Sequence, residues 1–124
     1  MTDISTIVAA ERTVEIKHPG TSEPIGLKIT VLPDSDQKVK AMRRKWLNER
    51  LQRGMKITAE KLEVQQLQII ESAVSGWEWG GDLNFHGEKP AFTEGNLRKV
   101  LKELPWIKTQ LDEELGDEAA FFQN

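Results

Sequence analysis

The sequence is poor in the residues and runs that several protein classes require. It contains no cysteine, which excludes disulfides and thiolate metal sites. Its two histidines, His18 and His86, stand at no metal-binding spacing from other ligands, and we therefore predict no metal site. No apolar run approaches the roughly 18 residues that a membrane-spanning helix needs. The segment Met1–Ser5 lacks the basic and apolar regions of a secretory signal, so we expect a cytoplasmic protein.

Sequence motifs for catalysis are also missing. The chain has no nucleophile elbow, no glycine-rich phosphate loop and no dinucleotide fingerprint. Its many carboxylates fall on polar helix faces, where exposure to solvent is the ordinary explanation. We therefore predict no enzymatic activity and no cofactor.

The composition is that of a globular domain with a well-solvated surface. The chain has 124 residues, of which 38% are hydrophobic and 30% charged, enough for one core and too short for two. We predict a single domain over residues 1–124. The net charge of −3 provides no general attraction to nucleic acid or to anionic membranes.

Two segments near the N-terminus alternate apolar and polar residues as strands do. Thr13–Lys17 is one, and Ile25–Leu32 is the other, with Pro19 and Gly20 among the turn formers between them. The pattern predicts a β-hairpin over about 13–32, within a unit that spans 13–33. We expect residues 1–12 to form a loosely held, disordered terminus.

The remaining chain reads as helical. Asp34–Asp36, Thr58 and Thr93 can cap helices, Gly54 and Gly76 can end them, and Pro105 fits a first helical turn. Four helices are predicted, at about 35–53, 58–75, 94–104 and 106–115. They form a helical pair over 34–76 and a C-terminal helical pair over 93–122, joined by an aromatic and glycine-containing linker over 77–92. The predicted fold is α+β and mainly α-helical, with the hairpin packed on the four helices.

The first predicted helix carries one apolar stripe. Its members recur at spacings of three and four residues, and we expect the stripe to be buried. They are Val39, Met42, Trp46, Leu47 and Leu51.

A basic stripe runs over residues 38–61. It holds nine lysines and arginines, including Arg43, Arg44 and Arg50, against Glu49 and Glu60. A stripe of this kind can bind phosphates, but exposed aromatics do not alternate with its cations. We favour a solvated helix face over nucleic-acid binding. An acidic partner is a third interpretation, and the chain's own C-terminal carboxylates would serve within one molecule or between copies.

Aromatic residues are the other candidates for partner contacts. We expect Trp77 and Phe92, next to helix ends, to lie in the core. For Trp79 and Phe85 a core position and a partner contact are equally supported. Phe121 and Phe122, near the chain end, are expected to form an adhesive apolar end that docks in a groove of this molecule or of another one. The predicted partner-binding residues are Trp79, Phe85, Trp106, Phe121, Phe122, Arg43, Arg44 and Arg50.

The order of these motifs resembles the tail assembly chaperones of phages and prophages with long, non-contractile tails. The resemblance covers about Thr13 to Phe122. Weaker matching elements are the hairpin with Pro19 and Glu23–Gly26, the basic helix after Asp34–Asp36, and Val74–Trp77. The strongest are Phe92–Asn96, Leu104–Leu111 and Asp117–Phe121.

The resemblance implies a non-catalytic role in tail assembly. Such chaperones bind the long helical tape measure protein, keep it soluble and extended, and help to recruit tail tube subunits. They act in the host cytoplasm and are absent from the finished virion. A longer form made by ribosomal frameshifting is implied to contact the tube protein. Two alternatives remain open: a small nucleic-acid-binding regulator using the 38–61 stripe, and a minor structural tail or head–tail joining protein.

Overall fold

The computed structural model describes residues 4–53 and 58–122, without the side chains of residues 50, 52 and 53. Short 3₁₀ turns lie near the two ends, at Ile4–Thr6 and Glu118–Phe122. Between them the elements follow in the order β1 (Arg12–Lys17), β2 (Pro24–Val31), α1 (Gln37–Arg53), α2 (Ala59–Ala73), β3 (Val74–Trp79), α3 (Glu94–Glu103) and α4 (Pro105–Gly116).

The three strands form one antiparallel sheet in the order β1-β2-β3. Val14 pairs with Ile29, which pairs in turn with Trp77 of β3. Because side chains alternate along a strand, this register places one apolar row on the inner face. Lys28, paired with Glu15 and Glu78, lies on the opposite face, and all three side chains are exposed.

The core lies between the inner face of the sheet and the helices. α3 contributes Leu97, Val100 and Leu101, and α4 contributes Ile107 and Leu111, each at most 2% exposed. These helical positions recur at spacings of three and four, which brings one face of each helix onto the sheet. The described residues confirm the predicted α+β, mainly helical fold with its N-terminal hairpin packed on four helices.

The third strand is a correction to the sequence analysis. A helix was expected to continue to residue 75 and a linker to begin at 77, but α2 ends at Ala73 and Val74–Trp79 forms β3. The backbone N–H of Leu32 donates to the carbonyl of Ala73 at 2.6 Å, and Val31 pairs with Val74. The edge of β2 therefore supplies hydrogen bonds that no local pattern could reveal.

The loop after β3 lies close to the sheet because of Gly26. Gly26 has a φ of +98°, and the carbonyl oxygen of Gly80 lies 3.3 Å from where a Cβ of residue 26 would stand. The Gly80 N–H donates to the Gly26 carbonyl at 2.9 Å. A side chain at position 26 would be strained and would crowd this contact. Residues 80–92 are thereby directed back across the sheet towards α3.

The N-terminal segment forms a hydrogen bond and an ion pair with the C-terminal part of the chain. The N–H of Ala10 donates to the carbonyl of Phe121 at 2.9 Å, and Arg12 forms an ion pair with Glu114 at 2.7 Å. Within the segment expected to be loosely held, Ala10 and Arg12 thus have partners in the C-terminal part of the chain. Ile4, Ile7 and Val8 are more than half exposed, and residues 1–3 lie outside the described ranges.

The apolar stripe of α1 is only partly covered, which corrects a second expectation. Val39 is 1% exposed, but Leu47 is 52% and Leu51 73% exposed. On α2, Ile70 is buried near the sheet, whereas Leu62 is 44% exposed. The antiparallel pair α1–α2 thus packs on the core through the start of α1 and the end of α2. Its far end carries apolar side chains that the rest of the described chain leaves uncovered.

Candidate functional site

A groove of about 540 Å³ lies between α1, α2 and the beginning of α3. Ala41 and Met42 line it from α1, Gln68 from α2, and Phe92 and Leu97 from the segment that starts α3. Its lining mixes apolar side chains with the aliphatic parts of longer polar ones. We call this cavity the α1–α3 groove and treat it as the candidate partner-binding site.

The start of α3 is held in place by its N-terminal cap. The Thr93 hydroxyl accepts a hydrogen bond from the N–H of Asn96 at 3.1 Å, and the Asn96 side chain donates to the carbonyl of Ala91 at 2.9 Å. Capping satisfies backbone groups that a helix start otherwise leaves unpaired. Because Phe92 precedes Thr93 directly, the cap also positions the aromatic wall of the groove.

An ion pair joins α2 to α3 along the groove. Arg98 donates from Nε and from a terminal nitrogen to the two carboxylate oxygens of Glu71, both at 3.0 Å. It also contacts Glu94 at 3.3 Å. These hydrogen bonds to Glu71, and then its negative charge, raise the pKa of the Arg98 guanidinium above its ordinary value. The Glu71 side chain is only 6% exposed, against 42% for Arg98.

Replacing Arg98 with methionine is expected to lower the melting temperature more than replacing Glu71 with glutamine. Without Arg98 the Glu71 carboxylate stays shielded from water and unpaired, which is costly. Without the Glu71 charge, Arg98 keeps its exposure to solvent and its contact with Glu94. Thermal unfolding followed by circular dichroism measures both shifts.

The control for this comparison is Arg43→Met. Arg43 pairs with Asp34 at 3.1 Å, but the Asp34 side chain is 63% exposed, so the loss should be within error. A larger loss from Glu71→Gln than from Arg98→Met would contradict the assigned asymmetry.

Two cationic side chains lie on the α1 side of the groove, and neither has an acidic partner among the described residues. Lys38 and Lys45 both line it, and both are exposed. Among the described ion pairs and side-chain hydrogen bonds, none involves either ammonium group. The Lys45 ammonium lies 5.7 Å from the centre of the Trp46 ring. The groove therefore has a positive rim that is available to a ligand.

Exposed apolar side chains concentrate at the far end of the α1–α2 pair. Leu47 and Leu51 of α1 are joined by Leu62 at 44% exposure on α2. We call these three residues the hairpin-end surface; Val64, 48% exposed, is two residues from Leu62 and points to the other side of α2. Apolar side chains left uncovered together on a monomer mark a candidate interaction site.

The predicted aromatic linker is a packed cluster. The Trp77 ring meets Trp79 and Phe92 edge-on, each at a centroid distance of 5.5 Å, and Trp79 lies 6.4 Å from Phe85. The Trp77 Nε1–H donates to the carbonyl of Pro90 at 3.0 Å. Trp77, Trp79 and Phe85 all pack against the core and are half-buried. Phe92, expected in the core, is 39% exposed.

Polar contacts hold the tip of the same loop. The Lys89 ammonium donates to the carbonyls of Gly81 at 2.7 Å and Trp79 at 3.2 Å. His86 is hydrogen-bonded to Glu103 at the end of α3. These bonds join the loop to β3 on one side and to α3 on the other, with His86 as one of the contacts.

The structure separates the two predicted residues at the chain end. Phe121, predicted to contact a partner, is 3% exposed and belongs to the core cluster of this chain, whereas Phe122 is 43% exposed. The guanidinium of Arg12 lies 5.5 Å from the centre of the Phe121 ring. Of the two grooves that the sequence left open for this residue, the structure therefore supplies one within the same molecule. Trp106 is half-buried against the core.

The structure describes two of the three predicted arginine side chains. Arg43 pairs with Asp34, Arg44 is exposed on α1, and the side chain of Arg50 lies outside the part of the chain that the structure describes. Among the described ion pairs, none joins α1 to the acidic C-terminal stretch, whose Glu114 pairs instead with Arg12. The α1 cations whose side chains are described are therefore not ion-paired with that stretch.

Among the described residues, no group of three or more His, Asp or Glu side chains is placed to hold a metal ion. No helix among them is long and apolar enough to cross a membrane.

Comparison with known proteins finds no family model that matches this chain, no similar curated protein and no similar solved structure.

Sequence reasoning missed the α1–α3 groove because its walls come from distant segments. Met42 was assigned to a buried stripe and Phe92 to the core, and Lys38 and Lys45 were two cations among many. One local signal was present: Lys38, Ala41, Met42 and Lys45 recur at spacings of three and four on one helix face. The partner wall from α3 could not be placed without the tertiary structure.

Proposed function

We propose that this protein is a tail assembly chaperone of a phage or prophage with a long, non-contractile tail. It acts without catalysis in the host cytoplasm. It binds the helical tape measure protein and keeps it soluble while tail tube subunits assemble around it. A longer, frameshifted form would supply the contact with the tube protein, and neither form would remain in the virion. The proposal begins from the resemblance carried by residues such as Phe92–Asn96 and Leu104–Leu111.

The structural observation that supports the proposal is the hairpin-end surface. Leu47 and Leu51 are 52% and 73% exposed on a helix that shares a groove with two others. A protein that keeps an apolar helix soluble must offer apolar surface of its own, since burying apolar area is the main driving force of association. The charged groups around that surface keep the free chaperone in solution.

The nucleic-acid interpretation requires the α1 cations to form one stripe, and they do not. With about 100° of rotation per helical residue, Lys38 and Lys45 lie on the same side, whereas Lys40 and Arg44 lie about 100–160° away from them. Only the Lys38 side faces the groove. A phosphate backbone would meet a single continuous face, so protein binding is favoured. Mass spectrometry of purified particles tests the third interpretation, a structural tail protein.

Co-expression with the tape measure protein of the same phage is expected to move that partner into the soluble fraction and to give a complex that co-purifies. Leu47→Asp with Leu51→Asp should weaken the complex at least tenfold. Each of these two leucines, 52% and 73% exposed in the free protein, contributes about 1 kcal/mol when a partner covers it. Soluble partner is measured on gels, and affinity is measured by titration of the purified proteins.

The matched control is Ile7→Asp with Val8→Asp. These side chains are 57% and 56% exposed. They are aliphatic like the two leucines, but they lie in the N-terminal segment and do not belong to the hairpin-end surface. This variant should bind like the wild type. If the wild-type chain leaves tape measure solubility unchanged and no complex co-purifies, the proposed function is wrong.

A further inference from the structure

We infer that the α1–α3 groove binds an acidic amphipathic helix, with carboxylates seven residues apart that pair with Lys38 and Lys45. This inference rests on the proposed function, because it assigns a site and a chemistry to the helical partner. The occupant is a segment of that partner with apolar positions between its two acidic residues.

Charge is the first feature that points to an acidic ligand. Three charged side chains on the groove pair with one another: Arg98 is held by Glu71 and Glu94. Lys38 and Lys45 are the remaining charged groups on its lining, and both lack an acidic partner among the described residues. These two lysines make the lining positive on the α1 side, although the whole chain has a net charge of −3. An acidic ligand is complementary to this rim.

The spacing of Lys38 and Lys45 matches two positions on one face of a helix. Lys38 and Lys45 are seven residues apart on α1, which is about two turns and about 10.5 Å along the axis. A helix that lies along α1 presents residues i and i+7 on one face at the same separation. Two carboxylates at that spacing would meet both lysines together, whereas shorter spacings would meet one.

The apolar lining of the groove points to apolar residues between the two carboxylates of the ligand. Between the two lysines, Ala41 and Met42 line the α1 wall, and Phe92 and Leu97 line the opposite side. Phe92 keeps 39% of its surface exposed, and methionine adapts its shape to different ligands. Positions i+3 and i+4 of the bound helix would face this lining. The motif is thus an acidic residue, an apolar pair and a second acidic residue on one helix face.

The test uses two synthetic amphipathic helices as probes. Each has the same leucine and alanine stripe, and the pair of residues at i and i+7 is glutamate in one and lysine in the other. Binding to the full chain is measured by isothermal titration calorimetry at low ionic strength, where exposed ion pairs are least screened. Wild type is expected to prefer the glutamate peptide by about tenfold, from two exposed pairs gained instead of two repulsions.

The decisive variant is Lys38→Glu with Lys45→Glu, which should reverse the preference so that the lysine peptide binds more tightly. Its matched control is Lys40→Glu with Arg44→Glu, the same charge change at two α1 positions outside the groove lining, which should retain the wild-type preference. Both pairs are exposed, and thermal unfolding checks that both variants fold. An equal effect of the two double variants, or no discrimination between peptides by wild type, would overturn the inference.

Two further outcomes separate this inference from the proposed function. If the tape measure protein co-purifies equally with wild type and with Lys38→Glu, Lys45→Glu, the groove is not the site, although the chaperone function stands. If that protein never co-purifies but the peptides show the charge reversal, the function is wrong and the groove assignment stands. If Lys38→Glu with Lys45→Glu changes the self-association measured by sedimentation and leaves peptide binding unchanged, the occupant of the groove is a second copy of this chain. The inference is then overturned.

Discussion

Replacing Leu111 with alanine is expected to lower the free energy of unfolding by about 2–5 kcal/mol. Leu111 is 0% exposed and belongs to the cluster in which α4 packs on the sheet. Truncation removes apolar area from the core and leaves a cavity that close-packed neighbours fill only partly. Small domains are stable by about 5–15 kcal/mol, so the variant should lose a large part of its stability.

Urea denaturation followed by tryptophan fluorescence measures this loss, with Leu51→Ala as the matched control. Leu51 has the same side chain in a helix but is 73% exposed, so its truncation should change stability by about 0.5 kcal/mol or less. The pair isolates burial from residue type. Comparable losses in the two variants would show that α4 does not form the core contact described for Leu111.

Replacing Trp77 with alanine is expected to lower the free energy of unfolding by about 3 kcal/mol, at the low end for a tryptophan because the ring is half-buried. The substitution removes the edge-on contacts with Trp79 and Phe92. It also leaves the Pro90 carbonyl without its donor at 3.0 Å. Since Phe92 lines the α1–α3 groove, binding of a groove ligand should weaken as well.

Trp77→Phe separates the hydrogen bond from the ring contacts. It keeps an aromatic ring but removes the Nε1–H, so the expected loss is about 1 kcal/mol. Trp46→Phe is the control, because the Trp46 Nε1 has no hydrogen-bond partner in the described part of the chain. Denaturant unfolding measures all three variants. If Trp77→Phe and Trp46→Phe lose the same amount, the bond to Pro90 does not pin the loop.

The fold was predictable where local pattern and local chemistry agree. The hairpin alternates at period two, from Val14 and Ile16 to Leu27 and Ile29, and the structure buries these residues. Thr93 was predicted to cap a helix, and its hydroxyl accepts the Asn96 N–H. Both features depend on contacts within a few residues or between adjacent strands, which periodicity and capping residues encode directly.

The third strand was not predictable in this way. Gly76 indicated the end of a helix, and Trp77, Glu78 and Trp79 alternate over too few residues to define a strand. Val74–Trp79 is a strand because the free edge of β2 supplies its hydrogen bonds. Tertiary pairing overrides a weak local preference of this kind.

The candidate site was the least predictable part of the molecule. Aromaticity near the chain end indicated a partner contact for Phe121, but the chain folds back and buries it. Apolar periodicity indicated burial for Leu47 and Leu51, but both side chains remain more than half exposed. Periodicity reports which residues share a helix face, and it carries no information on whether another element covers that face.

By itself the sequence determined the class of secondary structure, the four helices, the hairpin and the apolar faces available for packing, because these follow from spacing and capping along the chain. The tertiary structure alone decided that β3 completes the sheet, that Phe121 lies in the core, and that Lys38 and Lys45 border a groove. Those features join residues far apart in the chain, such as Met42 and Phe92. Their position depends on how whole faces pack together, which no local pattern specifies.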